Sequence, residues 1–538
     1  MQNQLFKFNF KFKGQNFLFY SVLLSFFSAF LFSLANPGVF FNDGLGFVAW
    51  FYYLPLLVSV KFSKKQFVFI NGFLYGFTAY FLYTFWLLKS YKSLFFLVII
   101  CFGLIFAFLF FVLKLSEKYF GKIAFIADFL ILSSYEFLRT LGSFGLNYGV
   151  TCYTQYNYKI LIQILDISGP FGLNLLMIFT SCVLFEFFKT LLTKSKFSVE
   201  LKISSFVWGV LMIFVVIYGL ISVNQKENNE FLKITAIQSN ENPWENGIES
   251  YNSNLENLID LTEKALEDSP ESKIVVWPET AVVPDIVENY FYPQDSLRNK
   301  MSKRLLEYIN SKNQIFVIGN GHKCDGKVYN SALVFKSGKN VIPPDPEWYA
   351  KVHLVPFTEY FPFEKILPSV AKKLENNGAT YWKKGEEYKS FEAEQNFVFS
   401  TPICFEDTFS DTGRKMFKSG GRCFINLSND SWSFSQSAQK QHLAMAIFRC
   451  VENRIPGVRS TTSGETCIID CKGNVTAKLN PFCAGYLNGN VEIHDKNQKE
   501  TFYTKTGDLA GWGVLISLCL LLISKIFIII MKKGCKNG

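Results

Sequence analysis

The chain has 538 residues, a formal charge of +10, and 49% hydrophobic and 17% aromatic residues. That length exceeds one ordinary domain and points to two or three. The charge is not a nucleic-acid footprint, because the lysines gather in short loops between apolar runs, as anchoring residues at a membrane do; no nucleic-acid partner is expected.

In chain order, seven apolar runs come first, starting near Phe17, Leu45, Phe67, Leu94, Ile123, Leu161 and Phe206. They approach the roughly 20 residues that cross a hydrocarbon core as a helix. The run at Leu45 is short, and the one at Leu161 contains Gly169 and Pro170. The first run is longer than the core of about 7 to 15 residues in a signal peptide, so an uncleaved helix is expected. An eighth run, Trp512 to Met531, closes the chain. With a cytoplasmic N-terminus, the loops holding Lys61, Lys64 and Lys65, then Lys114, Lys118 and Lys122, then Lys189, Lys194, Lys196 and Lys202 share one side with the tail lysines Lys532, Lys533 and Lys536. The opposite loops are poorer in lysine, which fixes the orientation. The expected organisation is a transmembrane bundle of about seven helices over 1–225, a catalytic domain over 226–505 outside the membrane, and a last helix with a basic tail over 506–538.

Within the middle segment, β-rich runs recur: LKITAIQS, KIVVWPE, QIFVIGN, NSALVF, FVFST, CFINLS and CIIDC. Helical spacing of apolar residues separates several of them, as in Ser253 to Glu267 and Leu297 to Asn310. The alternation predicts an α/β domain, with antiparallel character from a hairpin-like pair around KSGK, Lys336 to Lys339. Seven cysteines lie here: Cys324, Cys404, Cys423, Cys450, Cys467, Cys471 and Cys483. The odd number leaves at least one outside any disulfide within the domain. Cys467 and Cys471 lack CxxC spacing and a histidine nearby in the chain, so no metal is expected.

Three segments place a reactive side chain at or beyond a predicted strand end. VVWPETAVVP carries Glu279 directly after Pro278, which is expected to end the strand. WYAKVHLVPFTEYFP carries Lys351, His353 and Glu359, and a strand from Trp348 to Leu354 would turn Lys351 and His353 to one side. STPICFEDTF carries Cys404, Phe405 and Glu406. Singly these are ordinary: a surface carboxylate, a solvated ammonium, a packed imidazole, a small buried hydrophobe. Together, one Glu, one Lys and one Cys supply a base, a cation and a thiol. The ammonium is expected to lower the thiol pKa from about 8.5 and to stabilise a tetrahedral oxyanion.

These segments, with NLSNDSW (Asn426 to Trp432) and QHLAMAIFRCVENRIPGVRSTTSG (Gln441 to Gly464), resemble the nitrilase superfamily in content and order. The added membrane runs, including NGFLYGFTAYFLYTFWL, EFLRTLGSFGLNYG and ISGPFGLNLLM, narrow the resemblance to its apolipoprotein N-acyltransferase family, over almost the whole chain. The resemblance implies an α-β-β-α sandwich in which Glu279 is the general base, Lys351 the oxyanion stabiliser and Cys404 the nucleophile. Glu359 would support Lys351, and Glu406 and Trp244 would influence the site or substrate access. Phe405 departs from the tyrosine frequent in the family, but its backbone N–H is retained for an oxyanion hole. The implied chemistry is ping-pong: a phospholipid acylates the cysteine, and a diacylglyceryl apolipoprotein accepts the chain. No cofactor is implied, and a monomer in a bacterial inner membrane, with its catalytic domain periplasmic, is expected. Two rival readings are a membrane-tethered amidase using the same triad and a non-catalytic binding protein or transporter. The second is disfavoured because Asp128, Glu136, Arg139 and Glu186 are the few charges within the runs.

Overall fold

Every apolar run folds as helix. In this computed structural model, which describes residues 16–225, 230–241, 247–292, 296–376, 381–393 and 396–537, the chain divides into two units. The first holds helices Asn16–Ala35, Tyr53–Phe62, Val68–Tyr83, Lys92–Phe120, Ala124–Leu138, Leu165–Leu192, Val199–Asn224 and Leu509–Asn537. Among the described residues, five stretches are long and apolar enough to cross a membrane: Leu18–Ala35, Lys92–Leu138, Leu165–Leu192, Val199–Asn224 and Leu509–Lys532. The second of these is two helices, parted at Gly121, whose φ of 54° suits glycine. Gly169, at φ 62°, kinks the third ahead of Pro170.

Large apolar side chains of this unit are exposed, among them Phe206, Ile213, Ile221, Leu520 and Phe527. A surface of that kind is stable against lipid and not against water. Its buried charges are matched. Lys61 Nζ lies 2.9 Å from Asp128 Oδ2. The Glu136 carboxylate accepts from the Tyr53 hydroxyl (2.6 Å) and from the hydroxyl and backbone N–H of Thr151 (2.9 and 3.1 Å).

The second unit comprises Gly142–Gly145 and Gln225–Gly507. Its strands are β1 (Glu230–Gln238), β2 (Ile274–Val282), β3 (Ile315–Cys324), β4 (Lys327–Lys336), β5 (Glu347–Ala350), β6 (Phe391–Glu392), β7 (Val398–Phe399), β8 (Phe424–Ser428), β9 (Gly457–Thr461), β10 (Cys467–Ile469), β11 (Val475–Lys478) and β12 (Gly485–Ile493). Six form one sheet in the order β12-β1-β2-β3-β4-β5, and four form another in the order β11-β10-β9-β8. β2 of the first sheet packs against β8 and β9 of the second.

Helices Ile248–Asp268 and Leu297–Asn310 cover the outer face of the first sheet, joining Leu255, Leu258, Leu305 and Ile309 to Val275, Trp277, Phe316 and Ile318. Helices Ser410–Lys418 and Gln436–Asn453 belong with the second sheet, and the α-β-β-α sandwich is complete. β2 is buried on both faces, which explains its uninterrupted apolar sequence: Val275 and Trp277 meet the helices, while Ile274 and Val276 alternate to the other side. The tight hairpin falls at Asp325-Gly326, both at positive φ, between β3 and β4. The antiparallel partner after KSGK is β5, reached by a longer connection. Strands β11 and β12, neither strongly apolar, were not foreseen.

Pro278 does not end β2. The strand continues to Val282, but pairing with β3 lapses between Trp277 and Val282. Proline has no N–H to give the ladder, and Thr280 takes φ 48°, so the backbone bulges around Glu279. Gly319 on β3 leaves the room: a Cβ there would collide with the Pro278 carbonyl oxygen and Glu279 Cα. Gly319→Ala is therefore expected to lower the thermal-melting midpoint of the detergent-solubilised chain, a loss of about 1–3 kcal/mol from overpacking. An unchanged midpoint would show that the bulge yields freely.

Candidate active site

The bulge delivers Glu279 into the space between the sheets, and three partners hold its carboxylate. Asn330 Nδ2 donates to Oε1 at 2.8 Å, Lys351 Nζ to the same oxygen at 3.2 Å, and the backbone N–H of Asn429 to Oε2 at 2.9 Å. Lys351 is not within a strand, since β5 stops at Ala350. The register with β4 carries it there: its N–H donates to the Asn330 carbonyl at 2.9 Å, and its own carbonyl accepts from Gly385 N–H at 2.8 Å. The chain then turns, so Lys351 and His353 part company. The ammonium, 1% exposed, reaches Glu359 Oε1 at 2.7 Å as well as Glu279. Glu359 is fixed from behind by Val355 N–H at 2.7 Å and shares the Asn330 amide at 3.1 Å.

Cys404 enters from the second sheet. The chain leaves β7, bridges in parallel to β8 through Ile403 and Leu427, and turns sharply into the short 3-10 helix Cys404–Thr408. Cys404 sits at φ 49°, a left-handed conformation that disfavours any residue with a Cβ by about 1–3 kcal/mol. Such a turn thrusts the side chain out of the backbone path, as nucleophile elbows do.

Glu406 secures the turn. Its Oε2 accepts from Ile403 N–H at 2.9 Å, and its Oε1 from Tyr349 OH, Val352 N–H and His353 N–H at 2.8, 2.7 and 3.0 Å. Burial nevertheless pushes this carboxyl up to about 7, against the pull of its donors. Phe405 is partly buried, with its ring edge-on to Phe409 at 4.9 Å.

The electrostatics run against the expectation of an activated resting thiolate. Burial and the Glu279 carboxylate push the Cys404 thiol well above its ordinary range, and the opposing pull of Lys351 is too small to reverse them. Lys351 is held well above its usual value: burial disfavours its charge, but Glu279 and Glu359 outweigh it. Two carboxylates and one ammonium already leave the cluster one negative charge in excess, so a thiolate would add a second. Transfer of the thiol proton to Glu279 keeps the total unchanged.

His353 is a packing residue: its ring stacks on Phe409 at 4.5 Å, and burial lowers its pKa to about 4. Trp244 lies outside the described residues. Nothing in the sequence patterning singled out Asn330, which ties the two carboxylates together, or a buried ionic group beneath Cys404. In that group His442 Nε2 lies 2.6 Å from Asp407 Oδ1 and 3.2 Å from the Cys404 carbonyl oxygen, and its Nδ1 lies 3.2 Å from Asp430 Oδ1. Arg459 pairs with Asp407 and lies 3.7 Å from Asp430. Asp430, His442 and Arg459 lie in the NLSNDSW and QHLAMAIFRCVENRIPGVRSTTSG stretches, but on a different loop, helix and strand from Asp407, so their meeting was not legible.

Two outcomes follow from these charges. Glu279→Gln removes the carboxylate that raises the thiol, so the pH midpoint of Cys404 alkylation by iodoacetamide is expected to fall; an unchanged or higher midpoint would contradict the assigned direction. For His442, burial alone would lower the pKa, but Asp407 and Asp430 raise it from 6.5 to about 9. A base raised in the folded state contributes fully below about 6.5, and that contribution is lost as pH rises through about 9. The urea midpoint of the native chain should fall more steeply across that window than that of His442→Gln. Parallel profiles would show that His442 carries no such charge.

Comparison with known proteins agrees with both units. Residues 233–495 match the carbon-nitrogen hydrolase family, and residues 20–183 match the apolipoprotein N-acyltransferase N-terminal domain. Apolipoprotein N-acyltransferase 1 of Treponema denticola is 36% identical, covering 96% of this chain and 98% of that protein. The protein of the same name from Treponema pallidum is 34% identical over 86% of this chain and 88% of its own length. Apolipoprotein N-acyltransferase of Borreliella burgdorferi is 29% identical over 90% and 92%. With nearly its full length aligned at that identity, the chain belongs to the apolipoprotein N-acyltransferase family of the nitrilase superfamily.

Proposed function

We propose that this chain N-acylates lipoproteins by a ping-pong reaction through a thioester on Cys404. The observation that carries the reading is the single buried cluster of Glu279, Lys351 and Glu359 within electrostatic reach of the Cys404 thiol, in a chain of this family. In the first half-reaction Glu279 takes the thiol proton as sulfur attacks the carbonyl carbon of a phospholipid ester. The ammonium of Lys351 stabilises the tetrahedral oxyanion. Collapse breaks the carbon–oxygen ester bond, Glu279 returns the proton to the leaving oxygen, and a lysophospholipid departs.

In the second half-reaction the α-amine of an N-terminal S-diacylglyceryl-cysteine attacks the thioester carbonyl. Glu279 takes a proton from the attacking nitrogen and gives it to the departing sulfur, which restores the thiol and leaves an amide. Glu359 holds Lys351 between the two carboxylates throughout, and Glu406 keeps the nucleophile turn in register with it. A thioester is reactive toward amines and slow toward water, so it can persist between substrates. Exposing the acyl chains of both substrates to water costs roughly 0.8 kcal/mol per CH₂, so membrane-length apolar helices suit a chain that handles lipids. The lysine distribution supports an inner-membrane topology with the domain on the periplasmic side.

The test is intact-mass analysis of the purified chain incubated with phospholipid in detergent. An acyl adduct that hydroxylamine removes should form on the native chain and be absent from Cys404→Ala, and a diacylated cysteinyl peptide should discharge it. Glu279→Gln should lower transfer by at least about 10²-fold, as loss of a general base does. An adduct that survives in Cys404→Ala would defeat the thioester route. Release of the acyl group to water alone would favour the amidase reading.

A further inference from the structure

The strand that sequence patterning overlooked brings a second group of reactive side chains together. Glu492 lies in β12 and His494 one residue beyond its end, two positions apart and so on one face. Cys471 lies in the turn between β10 and β11. Spacing along the chain spoke against a metal at Cys471, but the fold supplies a histidine from 23 residues away. One ligand atom from each of Cys471, Glu492 and His494 can be chosen so that all lie within 4.8 Å of one another. His494 Nε2 and Glu492 Oε2 are 3.3 Å apart. Ligand atoms on a tetrahedral zinc ion, at about 2.0 to 2.3 Å from the metal, stand roughly 3.3 to 3.7 Å from each other. The His494–Glu492 spacing already matches this, and the Cys471 sulfur lies within 4.8 Å of a ligand atom on each.

Both elements are stiff. β12 is paired with β1 along its whole length, from Glu230↔Ile493 to Gln238↔Gly485. The turn is built on Asp470, whose carboxylate accepts from Lys472 N–H (2.9 Å), Asn474 N–H (2.7 Å) and Asn474 Nδ2 (2.8 Å). Cys471 is 1% exposed and forms no disulfide. The His494 and Glu492 side chains are 9% and 20% exposed, so an ion could enter from their side.

We infer that Cys471, Glu492 and His494 bind one divalent transition-metal ion, with zinc the closest match to a sulfur, nitrogen and oxygen donor set. On binding, the Cys471 thiol loses its proton to solvent, His494 coordinates as neutral imidazole, and water completes the shell. The dication is balanced by one thiolate and one carboxylate, leaving a neutral centre. The ion would clasp the last strand of the six-stranded sheet to the turn that follows the third strand of the other, and it uses none of the acyl-transfer residues.

The experiment is titration of the full-length, chelator-treated chain in detergent with cobalt(II), a spectroscopic substitute for zinc. About one equivalent should produce a thiolate-to-cobalt charge-transfer band that zinc abolishes. The band should be lost in Cys471→Ser and retained in Cys404→Ala, and His494→Ala should weaken binding by more than the ~10-fold typical of outer-shell changes. Cys471→Ser should still form the acyl adduct, which certifies its fold. Absence of the band in the native chain, its survival in Cys471→Ser, or undiminished affinity in His494→Ala would overturn the site.

Discussion

A single ammonium shared between a buried and a partly buried carboxylate governs the site. Lys351 touches Glu279 and Glu359 at once, and Asn330 bridges the same pair with its amide. Three charged groups this far from water are stable only if their geometry satisfies them all, because desolvation penalises each separately. The excess of negative charge keeps Cys404 as a thiol at rest. In the proposed mechanism, the proton that Glu279 takes from it removes one of the two charges held by Lys351 and leaves the ammonium to the oxyanion.

Positions where the backbone departs from regular geometry set this arrangement up. Pro278 removes a ladder hydrogen bond, Thr280 and Cys404 adopt left-handed φ, and Gly319 surrenders its side chain to make space. Each departure costs stability locally. Strands β2 and β3, each paired on both sides, hold the bulge in place, and the bridge from Ile403 to Leu427 holds the Cys404 turn against the edge strand β8, which is the usual relation between a rigid scaffold and a strained site.

Much of this was legible in the sequence. The eight helices arise where hydropathy puts them, and Leu297–Asn310 is helical over the predicted span. The strands that sequence patterning found are largely those buried on two faces. It failed on β11 and β12, whose mixed polar composition reflects edge and partly exposed positions, and on the extent of β5, which ends where the chain must turn to deliver Lys351. It also failed on electrostatics. A lysine near a cysteine suggests an activated thiolate, and only the geometry reveals two carboxylates competing for that lysine. The meeting of Asp407, His442, Arg459 and Asp430 was not legible, although they lie in the quoted motifs, because they are separated by up to 52 residues and converge only under the turn that carries Cys404.

Glu406 has a further consequence. One of its oxygens fastens the turn that carries Cys404, and the other fastens the backbone directly after Lys351. Sulfur and ammonium are therefore referenced to a common point, although they arrive from different sheets. The spacing of that sulfur and that ammonium hangs on the hydrogen bonds of one side chain, and a displacement of either segment is felt by the other through it.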